Sequence, residues 1–305
     1  MEKNFDVAAL GEAMLEFNQT RPREPQYLQG FGGDTSNAVI AAARGGARTA
    51  YLTRLGQDNF GDALVALWLR EGVDTSGVER DAAAPTGIYF VTHGFAGHEF
   101  NYLRTGSAAS RMTPQWLPRA LIADSKILHV SGISLAISRS ARDTVLEAML
   151  EARRSGTLVS LDSNLRLKLW PLGEARATII KAIGLCDFFL PSLEDATALM
   201  DSTEPERIVD WSHSHGAPNV ALKLGAQGAL VSDGQLRERV PGLQVQVVDA
   251  TGAGDCFCGN FLARVAKGDT IFEAAHYANT AAALAVQGFG AVAPLPRPGE
   301  VKALL

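Results

Sequence analysis

The 305-residue chain has only three cysteines, no long apolar run and little excess charge. Three thiols cannot form a disulfide framework, so we expect buried thiols at Cys256 and Cys258 and a reducing, cytoplasmic setting. No run approaches the roughly 20 apolar residues that cross a bilayer, and the N-terminus lacks the apolar core of a signal peptide. A net charge of −5 argues against nucleic-acid or membrane partners but leaves room for a small anionic ligand.

The two common glycine-rich nucleotide motifs are missing as well. No Walker-type Gly-Lys-Ser/Thr sequence is present. A dinucleotide fingerprint beginning at Gly252 would need a third glycine at position 257, where the chain has Phe257, and it would belong in an early βαβ unit. A hydride-transferring dehydrogenase is therefore disfavoured.

Short apolar runs alternate with longer amphipathic segments along most of the chain, which is typical of βαβ units. The pattern predicts strands at 7–10, 50–54, 127–130, 158–161, 187–190 and 220–224, and helices at 37–44, 60–71, 140–154, 174–183, 193–200 and 206–215. Two segments, 14–31 and 86–105, interrupt this rhythm, and the second predicts a hairpin with a turn at 93–98. We expect one domain over residues 1–305: an α/β fold with a doubly wound, mostly parallel sheet and a small β-sheet lid.

The stretch "DATGAGDCFCGNFL" (249–262) places glycines and an acid where a helix begins. The backbone N–H groups of Gly252, Ala253 and Gly254 are expected to bind an anion there. Asp255 cannot bind a phosphate, but it can orient a hydroxyl and accept its proton. With a reference pKa near 3.9, this carboxylate is expected to be charged at neutral pH. The alternative is an ordinary acid in a first helical turn.

Two stretches, "GFGGDTSNAVIAAARGG" (30–46) and "DATGAGDCFCGNFL" (249–262), resemble the two signatures of the ribokinase-like (PfkB) carbohydrate kinases. The resemblance implies a three-layer ribokinase-like fold and ATP-dependent phosphorylation of a sugar. It makes Asp255 the catalytic base and the preceding loop the anion hole. It also implies that Gly33 lets the sugar approach the backbone and that Asp34 and Asn37 bind hydroxyls, although the glycine pair could be a plain turn and Asn37 a helix cap.

The resemblance further implies a nucleotide site. In "VALKLGAQGALV" (220–231), Lys223, Gly225 and Gly228 would contact ATP, although the segment alone is only a glycine turn between strands. Asn279 would lie near adenine, or be an exposed helix residue, and Asn164 is also assigned to the nucleotide. The Asn-x-x-Glu motif linked to magnesium appears here as Ser192-Leu193-Glu194-Asp195, so we expect Asp195 to act on Mg²⁺ through water.

The candidate lid carries the substrate signal. Tyr102 and Arg104 are two apart in a predicted strand and so face the same side, and Arg166 follows a buried strand in "LDSNLRLKLW". Two converging arginines suit the carboxylate of a sugar acid better than a neutral sugar, although each could form a structural ion pair. Tyr89, on the neighbouring lid strand, would assist.

Within the family, these segments are most similar to 2-keto-3-deoxygluconate kinases. We therefore expect phosphorylation of the terminal hydroxyl of this sugar acid by ATP and Mg²⁺, with fructokinase or another sugar kinase as the alternative. A sensor without catalysis would not need Asp255. Exposed lid residues such as Phe90 and Phe100 make a homodimer through the lid an open expectation.

Overall fold

The computed structural model describes residues 3–21, 24–94 and 97–305. Its strands are β1 Phe5–Leu10, β2 Met14–Gln19, β3 Tyr27–Gly32, β4 Thr49–Gly56, β5 Val73–Asp74, β6 Val78–Asp81, β7 Ile88–Gly94, β8 Gly97–Leu103, β9 Ser125–Ser131, β10 Leu158–Asp162, β11 Phe188–Phe189, β12 Asn219–Lys223, β13 Gly228–Ser232 and β14 Arg237–Pro241. Its helices are α1 Asp34–Arg44, α2 Asn59–Glu71, α3 Arg119–Ala123, α4 Gly132–Ala136, α5 Arg139–Arg154, α6 Leu172–Ile183, α7 Leu193–Met200, α8 Pro205–Ser214, α9 Ala253–Ala266, α10 Ile271–Ala285 and α11 Pro298–Lys302, with 3₁₀ turns at Ala109–Arg111 and Gly225–Gln227.

The main sheet has ten strands in the order β14-β13-β12-β11-β10-β9-β1-β4-β5, and β6 pairs with β4. The strands from β12 through β9 and β1 to β4 are parallel, whereas β13 and β14 continue the edge in antiparallel pairings. Parallel strands joined by helices must be covered on both faces. The expected α/β class with a mostly parallel sheet is confirmed.

Neighbouring residues of β1 enter different layers of the core. Ala8 and Leu10 face a cluster built with α5 and α6, which includes Val145 and Ile179. Val7 faces the opposite side, in a cluster with residues of α1, α9 and α10. This alternation follows from the two-residue period of a strand, and it produces the three layers of the fold. Among the helices of the described chain, none has both the length and the apolarity needed to cross a bilayer.

A separate four-stranded sheet, in the order β3-β2-β7-β8, forms the lid. Its strands come from the two segments that break the βαβ rhythm, as expected. In the predicted hairpin, β7 pairs antiparallel with β8, and two residues of the predicted turn, 95 and 96, lie outside the described residues. The prediction that Phe90 is exposed was wrong. Its ring stacks on Phe17 with a centroid distance of 5.3 Å and packs edge-on against Tyr27 at 5.4 Å.

Helix α1 begins three residues earlier than predicted. Gly33 is its N-cap, with a φ of 112° that favours glycine, and the helix starts at Asp34. Asn37 is therefore not a cap but a residue of the first turn, with its backbone N–H bonded to the carbonyl of Gly33 at 2.8 Å. This leaves the Asn37 side chain available for contacts outside its own helix.

Candidate active site

The first turns of helices α1 and α9 meet, and this brings together the two signatures of the sequence. The helices pack closely because Gly259 has no side chain: a Cβ there would lie 2.1 Å from the carbonyl oxygen of Ala38. At this spacing Asn37 Nδ2 donates a hydrogen bond of 2.8 Å to Asp255 Oδ2. Asn37 Oδ1 is buried without a hydrogen-bond partner among the described residues, so it can accept from a bound hydroxyl.

Asp255 is not the fully ionised acid that its reference pKa predicts. Burial raises the pKa of Asp255 to about 7, and the negative charge of Asp34 adds to the shift. The hydrogen bond from Asn37 acts in the opposite direction by stabilising the carboxylate. The expectation of a normal carboxylate was wrong because it considered the helix dipole alone and not the other acids in the cleft.

Asp34 lies at the first position of α1 and is buried. Asn164 Nδ2 donates a hydrogen bond of 2.9 Å to Asp34 Oδ2, so Asn164 contacts an acid assigned to the sugar. Burial raises the pKa of Asp34, and the Asp162 carboxylate adds to this effect. Asn164 lies just beyond the end of β10, and its φ of 24° is rare for a residue other than glycine.

Lys223 and Asp162 form a buried ion pair beside the glycine-containing turn at the start of α9. Lys223 Nζ lies 2.9 Å from Asp162 Oδ2 and 3.4 Å from Cys258 Sγ. Burial opposes the charged form of Lys223, but its pKa is raised because Asp162 stabilises the ammonium. A Cβ on Gly254 would lie 3.4 Å from Lys223 Nζ, so a positive charge borders the predicted anion hole. Burial raises the pKa of Cys258 far above its ordinary value, as expected for a structural thiol.

Helix α9 begins at Ala253, with Gly252 as its N-cap in the left-handed region at a φ of 75°. The backbone N–H of Ala253 donates to the carbonyl of Ala250 at 3.2 Å, so this amide has a partner within the turn. Of the three amides predicted for the anion hole, Gly252 and Gly254 are thus the better candidates for an anion.

Asp195 lies in the first turn of α7 and faces the end of β10. Ser163 donates a hydrogen bond of 2.8 Å to Asp195 Oδ2, and Ser192 caps the helix. Burial raises the pKa of Asp195, with a further contribution from the charge of Asp162. Within the described ranges, no group of three or more His, Cys, Asp or Glu side chains could hold a metal. The donor set fits an ion held mainly by a ligand's oxygens and water, with Asp195 nearby.

The predicted nucleotide loop follows β12. Gly225 lies in an exposed 3₁₀ turn with a φ of 59°, and Gly228 begins β13 with a φ of 91°. Asn279 is on α10, but it is not exposed: its Nδ2 donates a hydrogen bond of 2.8 Å to the carbonyl of Pro241. Asn279 therefore joins α10 to the end of β14.

The lid presents Tyr89 and Tyr102 on one face. These residues pair across β7 and β8, and their rings lie 5.5 Å apart. The buried Tyr89 hydroxyl donates a hydrogen bond of 2.6 Å to Glu16 Oε2 on β2, so Tyr89 is fixed inside the lid. Tyr102 remains 41% exposed and is the aromatic side chain of this pair that is open to a ligand.

Both predicted arginines lie near Tyr102. The Arg104 guanidinium carbon lies 5.8 Å from the Tyr102 ring centroid. Burial raises the pKa of the Tyr102 phenol, and the positive charges of Arg166 and Arg104 oppose this shift. Arg166 is exposed, and its Nη1 donates to the carbonyl of Leu165 at 2.9 Å. Arg104 instead forms a buried ion pair with Glu12, a partner that the sequence analysis missed.

The carboxylates that sequence analysis missed are Glu12, Glu16 and Asp162. Asp162 could have been found, because it is the last residue of a buried parallel strand, and ligands bind at the carboxyl ends of such strands. Glu12 and Glu16 follow β1 in "GEAMLEF", where the apolar neighbours suggest an ordinary strand. Their burial becomes apparent only when the lid folds over them.

The sequence profile of the pfkB family of carbohydrate kinases matches residues 4–298. The chain therefore belongs to the PfkB family and is a carbohydrate kinase, and the resemblance seen in its two signatures is confirmed.

Particular members of this family are similar over essentially the whole chain. The chain is 35% identical to a 2-dehydro-3-deoxygluconokinase from Thermoproteus tenax, an alignment that covers 100% of this chain and 95% of that protein. It is 34% identical to fructokinase-1 from Oryza sativa subsp. japonica, over 98% of this chain and 97% of that one. Among solved structures, a fructokinase with bound ATP from Xylella fastidiosa superposes with a TM-score of 0.90 at 27% identity, covering 98% of each chain.

Proposed function

We propose that this kinase transfers a phosphoryl group from ATP to the terminal hydroxyl of 2-keto-3-deoxygluconate. The observation that carries the proposal is the positive charge near Tyr102: the Arg104 guanidinium carbon lies 5.8 Å from its ring centroid, and the exposed Arg166 acts electrostatically on its phenol. A sugar acid bound beneath the lid would place its carboxylate against this positive charge. The similarity to a 2-dehydro-3-deoxygluconokinase supports the same substrate.

The sugar chain would lie along α1. The carboxylate and keto end would meet Arg166, Tyr102 and Arg104, with Tyr89 buried in the lid sheet behind them. The backbone at Gly33 and the side chains of Asp34 and Asn37 would bind the middle hydroxyls. Asn37 supports this arrangement because its Oδ1 has no hydrogen-bond partner among the described residues while its Nδ2 donates to Asp255. The terminal hydroxyl would then lie at the Asp255 carboxylate.

Asp255 would orient the attacking hydroxyl and take its proton late in the transfer. A carboxylate is too weak a base to deprotonate an alcohol in advance, so alignment in a loose transition state is its main task. The amides of Gly252 and Gly254 would stabilise the charge on the phosphoryl oxygens, together with the Lys223 ammonium that borders Gly254. Asp162 keeps this ammonium charged and in place.

ATP would lie along the loop that contains Gly225 and Gly228, with α10 at its side. The related fructokinase with bound ATP supports this nucleotide. A divalent ion such as Mg²⁺, when bound, would neutralise phosphate charge, and Asp195 would act on it through water. Lys223 and Asp195 would both act on the phosphates, and the Asp162 carboxylate acts electrostatically on each of them.

Fructokinase is the second candidate, and a specific observation favours it. Arg104 already has a carboxylate partner in Glu12, so among the residues that the structure describes Arg166 alone of the two arginines forms no ion pair. The test is to incubate the protein with MgATP and a panel of sugars and sugar acids while measuring ADP release. Turnover of 2-keto-3-deoxygluconate at a kcat/KM well above that of fructose supports the proposal. A preference for fructose refutes it, and binding without ADP release would indicate a sensor.

We also propose a homodimer formed through the lid, in the cytoplasm. The lid leaves Leu28 at 69%, Leu103 at 63% and Phe100 at 38% exposure, and a second subunit could cover them. The three cysteines are free and buried, which fits a reducing compartment. Light scattering across a dilution series tests the dimer, and a Leu103→Asp variant should shift it towards monomer. A wild-type monomer at all concentrations refutes it.

A further inference from the structure

Glu12 lies where the chain crosses between the main sheet and the lid. It belongs to the connection from β1 to β2, and its carboxylate accepts a hydrogen bond of 2.5 Å from Ser107, in the connection that leaves β8. A Cβ on Gly87, just before β7, would lie 2.9 Å from Glu12 Oε1. A Cβ on Gly33, just after β3, would lie 2.5 Å from the Glu12 carbonyl oxygen. Four connections join the main sheet to the lid; Glu12 belongs to one of them and lies against the other three.

The Glu12 carboxylate also neutralises Arg104. The two side chains form an ion pair with exposed fractions of 1% for Glu12 and 9% for Arg104. Arg104 Nε is buried and has no hydrogen-bond partner among the described residues, so the guanidinium still has a donor to offer. A buried pair of opposite charges presents little net charge to a ligand, because each field cancels most of the other.

We infer that Glu12 is a specificity-determining residue that cancels the charge of Arg104 and leaves Arg166 as the net positive charge read by the substrate's carboxylate. Arg104 then contributes hydrogen bonds to the substrate, and its guanidinium packs against the Tyr102 ring. Arg166 is exposed and has no carboxylate partner among the ion pairs of the described residues. The inference rests on the proposed function, since it concerns recognition of an acid.

The test compares dissociation constants of 2-keto-3-deoxygluconate and of its neutral carboxamide, measured by calorimetry on the whole protein. The readout is the ratio of the two constants, which reports charge recognition and not general fit. Arg166→Gln should weaken binding of the acid relative to the amide by about 10-fold or more. Glu12→Gln should shift the ratio towards the acid by a similar factor, because it leaves the Arg104 charge uncompensated.

Two double variants separate charge recognition from folding. Glu12→Gln with Arg166→Gln should restore a ratio close to that of the wild type, since one free guanidinium replaces the other. Glu12→Gln with Arg104→Gln replaces the buried ion pair by neutral side chains, a change that folds often tolerate. It should weaken binding of the acid and of the amide together, because the hydrogen bonds of Arg104 are lost, and leave the ratio of the two constants near that of the wild type. Loss of acid preference in this second variant, to the level of Arg166→Gln, would overturn the inference.

The single variant Glu12→Gln provides a second result that could refute the inference. A ratio that moves towards the amide would show that Glu12 merely supports the lid. Thermal unfolding of each variant checks that it is folded, and the neutral double variant remains informative if Glu12→Gln alone is unstable. Failure of the proposed function looks different: the wild-type protein would then bind the amide as tightly as the acid, before any substitution is made.

Discussion

The proposed role of Asp255 as the catalytic base predicts how activity depends on pH. Burial and the charge of Asp34 raise the pKa of this carboxyl to about 7, whereas the hydrogen bond from Asn37 lowers it. A base must be ionised to act, so kcat/KM should rise with pH through about 7 and level off above it. This profile reports the free enzyme, which is the state the structure describes.

Two substitutions should move this midpoint in opposite directions. Asn37→Ala removes a hydrogen bond to the charged form, which is worth about 1.5 kcal/mol at the lower end of such bonds, so the midpoint should rise by about one pH unit. Asp34→Asn removes a neighbouring negative charge, and the midpoint should fall by about one unit. Both variants lose sugar contacts and therefore some activity, but only the position of the midpoint is diagnostic.

The assay is coupled ADP release from pH 5.5 to 9 at constant ionic strength, with substrate well below KM. A matched variant away from the cleft, Arg237→Gln on β14, should leave the midpoint in place, because its ion pairs with Glu206 and Asp210 are at the surface. A wild-type profile that is flat between pH 6 and 8 would refute the electrostatic reasoning. So would equal shifts of the two variants in the same direction.

The other predictions concern the catalytic turn and its supports. Asp255→Asn should lower kcat by about 10²- to 10⁴-fold, and near-normal turnover would end the assignment of Asp255 as the base. The pKa of Asp255 is higher in the folded state than in the unfolded state, so its contribution to stability falls as the pH rises from about 4 to 7. The variant should therefore unfold at a higher temperature than the wild type at pH 8. Gly259→Ala should lower the free energy of unfolding by about 1–3 kcal/mol and kcat by about 10²-fold, because its Cβ would meet Ala38 and separate α1 from α9. Urea unfolding and steady-state kinetics measure the two effects. Lys223→Met should destabilise the fold by about 3–5 kcal/mol and raise the KM for ATP, and adding Asp162→Asn should restore stability without restoring KM; recovery of both would assign Lys223 to structure alone.

Much of the fold could be predicted from the sequence because its pattern is strongly periodic. The parallel strands and the helices between them follow from apolar runs that are buried on both faces, and the lid follows from two segments that lack a helix. Helix α1 was misplaced at its start because Gly33 is a cap without a side-chain acceptor. Local spacing contains no sign that this glycine adopts a left-handed conformation.

The site was less predictable where it depends on distant partners. Asp255 and Asn37 were singled out separately, but their hydrogen bond spans 218 positions and depends on the glycine that lets α1 and α9 approach. The raised pKa of Asp255 has the same origin, because Asp34 comes from the other helix. Arg104 was expected to face a ligand, and only the folded lid shows Glu12 beside it.

The position of the lid in the chain has an evolutionary consequence. Its four strands enter as two insertions, one before α1 and one after β6, while the acid and the glycine turn lie far downstream on α9. If the proposed roles hold, substitutions in these insertions can change which sugar is accepted while the proposed phosphate-transfer residues on α9 stay the same. Under the proposed recognition, transplanting a substrate preference from one relative to another would require exchanging both insertions together with residues 12 and 166.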